Sequence, residues 1–185
     1  MEPGVKMRLA AAFLCVTSLL IGGCVEAPPF FTPNVPEART RQAGTIGIVS
    51  ASVDPTAQGA GDVRMIFGSD EIPGLWQRGL ASALDQSRIF DKSGRVFDFK
   101  VTIYKMKPPD TGSTINTPAT ARYQIIDAKS RVVVYDTTVE NIGRVGPGEN
   151  FLGVVRIRDS IERAVQSNIT QFIERLAIVP ALQPQ

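Results

Sequence analysis

Val96-Phe97-Asp98-Phe99-Lys100-Val101-Thr102-Ile103-Tyr104-Lys105-Met106 alternates apolar and polar residues along its length. Successive side chains of a strand point to opposite faces. Phe97, Phe99, Val101 and Ile103 therefore share one side, and Asp98, Lys100, Thr102 and Tyr104 the other. One apolar and one wet side is the mark of a sheet covered on a single face. The rest of the domain follows from asking what does the covering.

Upstream, a helix is expected from about Pro73 to Arg88. Pro73 suits a first turn, where no backbone donor is needed. Ile72, Leu75, Trp76, Gly79, Leu80, Ala83 and Leu84 fall on one stripe at helical spacing. Before it, Thr45 to Val53 reads as a first strand, mostly apolar and so expected to be central, ended by Asp54-Pro55. Thr56 to Asp70 between them is glycine-rich and irregular, with the apolar run Met65-Ile66-Phe67 inside it.

Downstream, Lys107 to Ser113 breaks the chain. Thr120 to Ile126 is a third strand, with Ala121, Tyr123 and Ile125 on one face, and Asp127 to Ser130 is a hairpin turn. Arg131 to Asn141 is a fourth strand, and Gly143 to Gly153 a second glycine-rich loop. A last helix is expected from about Val154 to Ala177. Its apolar stripe is Ile157, Ile161, Ala164, Val165, Asn168, Ile169, Phe172, Ile173 and Leu176, and Pro180 ends it. The order β-α-β-β-β-α predicts an α+β two-layer sandwich. A four-stranded, mostly antiparallel sheet carries two helices on one face, and a right-handed crossover joins the first two strands if they are parallel neighbours. The open face would stay wet or meet a partner.

The ends read differently. Lys6 and Arg8 precede an apolar run from Leu9 to Ile21, too short to span a bilayer. It closes on Leu20-Ile21-Gly22-Gly23-Cys24. This resembles the lipobox of bacterial lipoproteins, in which small residues precede a cysteine that is acylated and becomes the new N-terminus. The resemblance implies a signal peptide over 1–23, palmitate and diacylglyceryl lipid on Cys24, and a periplasm-facing membrane anchor in a Gram-negative envelope. Val25 stands where an Asp would retain a lipoprotein in the inner membrane, which favours the outer membrane. Met7-Arg8 offers an alternative start. The proline-rich stretch from Val25 onward has no helical or strand period and reads as a disordered tether over 24–43, with a reach on the order of 60 Å. The compact domain is expected over 44–179 and a frayed tail over 180–185.

Composition removes most chemistry. The chain has no histidine, 20 Lys+Arg against 18 Asp+Glu, and a net charge of +2. Loss of the signal takes Glu2, Lys6 and Arg8 and leaves +1, which gives no pull toward nucleic acid. It also removes Cys15, so lipid-bearing Cys24 is the last cysteine and no disulfide or cysteine metal site can form. No histidine base, Ser-x-x-Lys pair, phosphate loop or EF-hand loop is present. No catalytic residue, metal site or cofactor is expected, although scattered carboxylates leave glycosidase-type chemistry as a third reading.

Several features carry two readings. Trp76, Phe97 and Phe99 would line a lipid groove or fill the core, and their spacing favours core. Gly143-Arg144-Val145-Gly146-Pro147-Gly148-Glu149-Asn150 sits where backbone amides can bind an anion, yet lacks a phosphate-loop order and reads as connector. Lys105, Lys107, Arg122 and Arg131 would form a basic patch for anionic lipid or glycan, or a solvated edge. Met65, Ile66 and Phe67 stand as a candidate partner contact, equally as a segment tucked over the core or as a short extra strand.

The element order, with lipidation, is similar to penicillin-binding-protein activator lipoproteins, the lipopolysaccharide-assembly lipoprotein and the amino-terminal domain of the Tol-Pal β-propeller protein. No functional motif matches residue by residue. The resemblance implies a non-catalytic envelope lipoprotein that binds a protein partner in envelope assembly, maintenance or transport. The alternative is a lipid- or glycan-binding carrier or sensor.

Overall fold

The structure, a computed structural model, describes residues 33–63 and 71–182. The signal segment, Cys24 and the triplet Met65-Ile66-Phe67 lie outside the described residues. Seven elements follow in order: β1 (Thr45–Val53), α1 (Pro55–Gly59), α2 (Glu71–Ser87), β2 (Val96–Met106), β3 (Ile115–Asp127), β4 (Val133–Val145) and α3 (Gly153–Ala177). The sheet order is β1-β2-β3-β4. β1 and β2 are parallel; the other two pairings are antiparallel. α2 packs on β1, α3 on β3 and β4, and the two helices on each other. This is the expected α+β sandwich, with the small helix α1 added inside the segment that reads as irregular. Asp54 caps α1, its side chain accepting from the amides of Thr56 and Ala57.

The expected central position of β1 is corrected: β1 is an edge strand. Its composition misleads because its phase shifts. A register irregularity between Ile46 and Val49 sets Gly47 and Ile48 of β1 against Asp98 alone on β2, as a bulge does. Ile46 and Val49 therefore both pack toward the core, and Ile48 between them is 69% exposed. What reads as a strand buried on two sides is a strand buried on one.

β3 and β4 are longer than expected. β4 runs on through Asn141, Ile142 and Gly143 to Val145, so the second glycine-rich loop is shorter than its composition suggests. Gly143 is a strand residue, paired with Thr117. A Cβ built on it would stand 2.0 Å from the Ser160 carbonyl oxygen and 2.4 Å from the Ala164 amide nitrogen. The backbones of β4 and α3 meet at this point, and only glycine leaves room for it.

The segment 33–43 is likewise corrected from tether to packed chain. Val35 is buried in the core cluster and Ala38 packs against it. The Ala38 amide donates to the Ser87 carbonyl at 2.8 Å. Gln42, also buried, holds both ends of the domain together. Its backbone amide donates to Ile89 and its carbonyl accepts from Asp91. Its side-chain amide donates to Val179 O at 2.9 Å and its Oε1 accepts from Leu182 N at 3.1 Å. Of the expected tail over 180–185, Leu182 is buried and its carbonyl accepts from Arg95. Proline-rich, aperiodic chain reads as tether by composition; its hydrogen-bonding partners lie far away in sequence and leave no local signal.

Gly143→Ala is expected to destabilise the domain by about 2–3 kcal/mol through forced separation of β4 and α3. Gly148→Ala, where an added Cβ meets nothing within 4 Å, should stay within about 0.5 kcal/mol. Urea unfolding of both variants checks this; equal midpoints would remove the close approach as a constraint.

Candidate functional surfaces

The space between helices and sheet is filled. Trp76, Leu80, Phe97, Phe99, Ile103, Tyr123, Ile125 and Phe172 are all at most 2% exposed. Of the two readings of Trp76, Phe97 and Phe99, core is the correct one. Phe90 meets Phe99 edge-on at 5.7 Å, and Tyr123 stacks on Phe172 at 4.2 Å. No ligand-sized apolar pocket separates the two layers among the described residues.

A polar chain runs through this core. Trp76 Nε1 donates to Tyr123 Oη at 2.8 Å, and Tyr123 Oη donates to Asn168 Oδ1 at 2.7 Å. Asn168 Nδ2 donates to Asn141 Oδ1 and to the Val139 carbonyl. Asn141 Nδ2 closes the chain on the Ala164 carbonyl. Burial pushes the Tyr123 hydroxyl well above its ordinary value, so it stays a neutral donor. The chain joins α2, β3, β4 and α3, and its buried members are partnered, as structural networks require. By spacing Asn168 is one more position of an apolar stripe. Its amide is what connects that stripe to the sheet.

The sheet's open face carries ordered charge. Arg122 forks onto Asp136, Nε to Oδ1 at 2.8 Å and Nη2 to Oδ2 at 2.5 Å, and Gln124 joins at 3.0 Å. The Arg122 guanidinium holds the Asp136 carboxyl below its usual range. Arg131 pairs with Asp98 at 2.9 Å, and Lys107 with Asp62 at 3.6 Å. The candidate basic patch is thus spread along the sheet, and three of its four residues face a carboxylate. The glycine-rich connector after β4 is held by Glu149, which accepts from the Gly146 amide at 2.7 Å and pairs with Arg163. A lowered Glu149 carboxyl follows from that pairing.

Two clefts of about 780 Å³ open on the surface. One lies beside the turn from α2 to β2, with Ile46, Leu84 and Phe90 below and Arg41, Arg88 and Lys92 at the rim. Arg41 and Arg88 both pair with Glu37 there. The other lies between residues 36–40 and the C-terminal end of α3. Glu162 is the carboxyl that burial pushes upward; Arg158 opposes the shift, and Glu162 lines neither cleft.

Two exposed features stand out. Among the described residues β1 pairs with β2 alone, so its outer backbone edge is unpaired, and Thr45 to Val53 contains no charge and no proline. At the start of α3, Phe151, Leu152 and Val154 are 102%, 66% and 64% exposed. Sequence reading misses this tip because its residues border a helix stripe and look like part of it.

No protein-family model matches the chain, and no curated protein sequence matches it. Solved structures share its fold. A Xanthomonas campestris protein described as a member of DUF330 superposes with a TM-score of 0.52 at 14% identity, over 80% of this chain and 90% of that one. A Chlamydia trachomatis protein gives 0.50 at 7% identity, over 75% and 96%. A minor lipoprotein of Acinetobacter baumannii gives 0.42 at 7% identity, over 74% and 92%. At such identities the likeness to the first two is one of fold.

Tyr123→Phe strands the Trp76 indole N–H and the Asn168 oxygen, and should cost about 2–4 kcal/mol. Adding Asn168→Ala should cost less than the sum of the two single changes, because the groups share one network; strict additivity in a double-mutant cycle would refute the chain. A second expectation concerns acid. Asp127 accepts from the Ser130 amide at 2.7 Å and from Arg95 at 2.6 Å, which holds its carboxyl well below the usual range. Its stabilisation is complete above the unfolded value of about 4. It is lost as the pH falls toward the depressed folded value. Urea midpoints measured downward from about pH 5 should therefore fall more steeply in the wild type than in Asp127→Asn.

Proposed function

We propose that this chain is a lipid-anchored envelope lipoprotein that works by binding a protein partner, not by catalysis. The single observation that carries partner binding is the outer edge of β1. An unpaired edge is a template for another strand, and proteins usually blunt it with charge, proline or cover. Thr45 to Val53 has neither charge nor proline. An extended segment of a partner can pair with that backbone, and the small side chains of Ser50 and Ser52 leave it room. Ile48, exposed on the same strand, supplies an apolar contact.

The anchor rests on Leu20-Ile21-Gly22-Gly23-Cys24 and the charged, apolar run before it. Among the described residues no helix is long and apolar enough to cross a membrane, so the lipid on Cys24 is the attachment in this reading. Val25 favours outer-membrane placement, and Met65-Ile66-Phe67 remains a second contact for the same partner. The packed space between the layers weighs against a lipid or glycan carrier.

A photo-crosslinking residue at Ser52 should give one discrete adduct in intact envelopes, weakened several-fold by Ser50→Lys, which puts charge on the edge. The same probe at Gln166 on the helix face should give none. No adduct from Ser52, or equal adducts from both sites, overturns partner binding at this edge. Cys24→Ser should abolish palmitate labelling and release the protein from the membrane fraction; labelling that survives overturns the anchor.

A further inference from the structure

We propose that the exposed apolar tip formed by Phe151, Leu152 and Val154 inserts into the bilayer surface, a reading that rests on the lipid anchor proposed above. The tip is unusual in its local chemistry. Leu152 is the N-cap of α3 and makes no side-chain cap hydrogen bond, and the first turn holds no acidic residue. Polar residues are strongly preferred at that position. An apolar residue before the cap normally packs on the fourth helical residue. Here that residue is Arg156, whose guanidinium donates to the Ser113 carbonyl at 2.6 Å. Phe151 is left with nothing to cover it. An isolated exposed leucine needs no explanation, but three neighbouring large apolar side chains at a helix tip do.

The path of the chain selects the occupant. Asn34 lies beside Arg163, Ser167 and Thr170, near the middle of α3. Pro36 to Arg39 lie against Ile173 to Val179, and Gln42 reaches Val179 and Leu182. Residues 34–42 thus run along α3 from its middle toward its C-terminal end. The described chain therefore begins at the end of this run nearer the α3 N-terminus, where the tip stands. From Val154 to Arg163 is about 14 Å along the helix axis. The nine steps from Cys24 to Pro33 span at most about 30 Å. An acylated Cys24 and the tip can therefore sit at one membrane plane, with no turn of the domain required. Arg156, in the first turns of α3, is the cation nearest the tip in sequence, and a cation there suits phosphate headgroups. Apolar side chains below cationic ones is the arrangement of an interfacial membrane contact.

The test uses the full acylated protein in vesicles of phosphatidylethanolamine and phosphatidylglycerol with brominated acyl chains. The only tryptophan, Trp76, is fully buried in the core, so the wild type supplies the baseline. Phe151→Trp should lose roughly half of its added emission relative to unbrominated vesicles, as a side chain at the headgroup–acyl boundary would. Gln166→Trp on the side of α3 should lose none. Intact mass is measured on the same sample. Acyl mass with no quenching in the Phe151→Trp variant overturns the tip and leaves the anchor standing; absence of acyl mass overturns the anchor and this inference with it. A concentration-dependent blue shift of the Phe151→Trp emission without lipid identifies the tip as a contact between copies of the chain and overturns membrane insertion.

Discussion

The close approach of α3 to β4 at Gly143 is the constraint on which the rest of the domain depends. The backbones of the two elements are separated by less than a methyl group's width there. That contact fixes the height of α3 above the sheet. At that height Ser160 reaches Thr117 at 2.6 Å, and two turns further on Asn168 reaches both Tyr123 and Asn141. Ser160, Ala164, Asn168, Phe172 and Leu176 recur every four residues and form the line of α3 that touches the sheet. Small residues lie at the end where the backbones meet, and large ones toward the other end. The helix is thus wedged, tight near its N-terminus and padded by Phe172 stacked on Tyr123 near its C-terminus.

The wedge explains why the far end needs a clamp. At that end the core is completed by chain from both termini. Val35 and Ala38 come from one terminus and Leu182 from the other. Gln42 ties Val179 and Leu182 with its side chain and Ile89 and Asp91 with its own peptide. Arg95 adds a second tie, pairing with Asp127 of the hairpin while donating to Leu182. The segment from Pro33 to Ala43 is therefore part of the fold.

Much of this is legible in the sequence. Val96 to Met106 announces a sheet covered on one face, because alternation at period two needs no knowledge of distant chain. The stripes of α2 and α3 are equally local, and so is Trp76 as core. What escapes reading is long-range in each case. Gly143 looks like any loop glycine until Ser160 is known to lie against it. Asn168 looks apolar by spacing because its partners, Tyr123 and Asn141, are 45 and 27 residues away. β1 looks central because the bulge that turns Ile48 outward is set by its pairing with Asp98 and not by its own composition. Segment 33–43 looks free because Gln42 finds its partners 137 and 140 residues on.

The same geometry distributes the surfaces. Among the described residues the seam between helices and sheet is filled by side chains, and the features left open lie on the outside. The outside is polarised. One end carries the clamp, the hairpin and the paired charges of Arg95, Asp127, Arg131 and Asp98. The other carries an uncapped helix start with Phe151, Leu152 and Val154 uncovered. Between them runs β1, an edge strand that carries no charge and pairs with β2 alone among the described residues. A helix start that gives up both a polar cap and an apolar staple, and an edge strand that gives up its charges, each forgo stability that a single substitution would restore. The two features lie on different sides of the domain, so an edge contact and a tip contact, as proposed above, would not exclude one another.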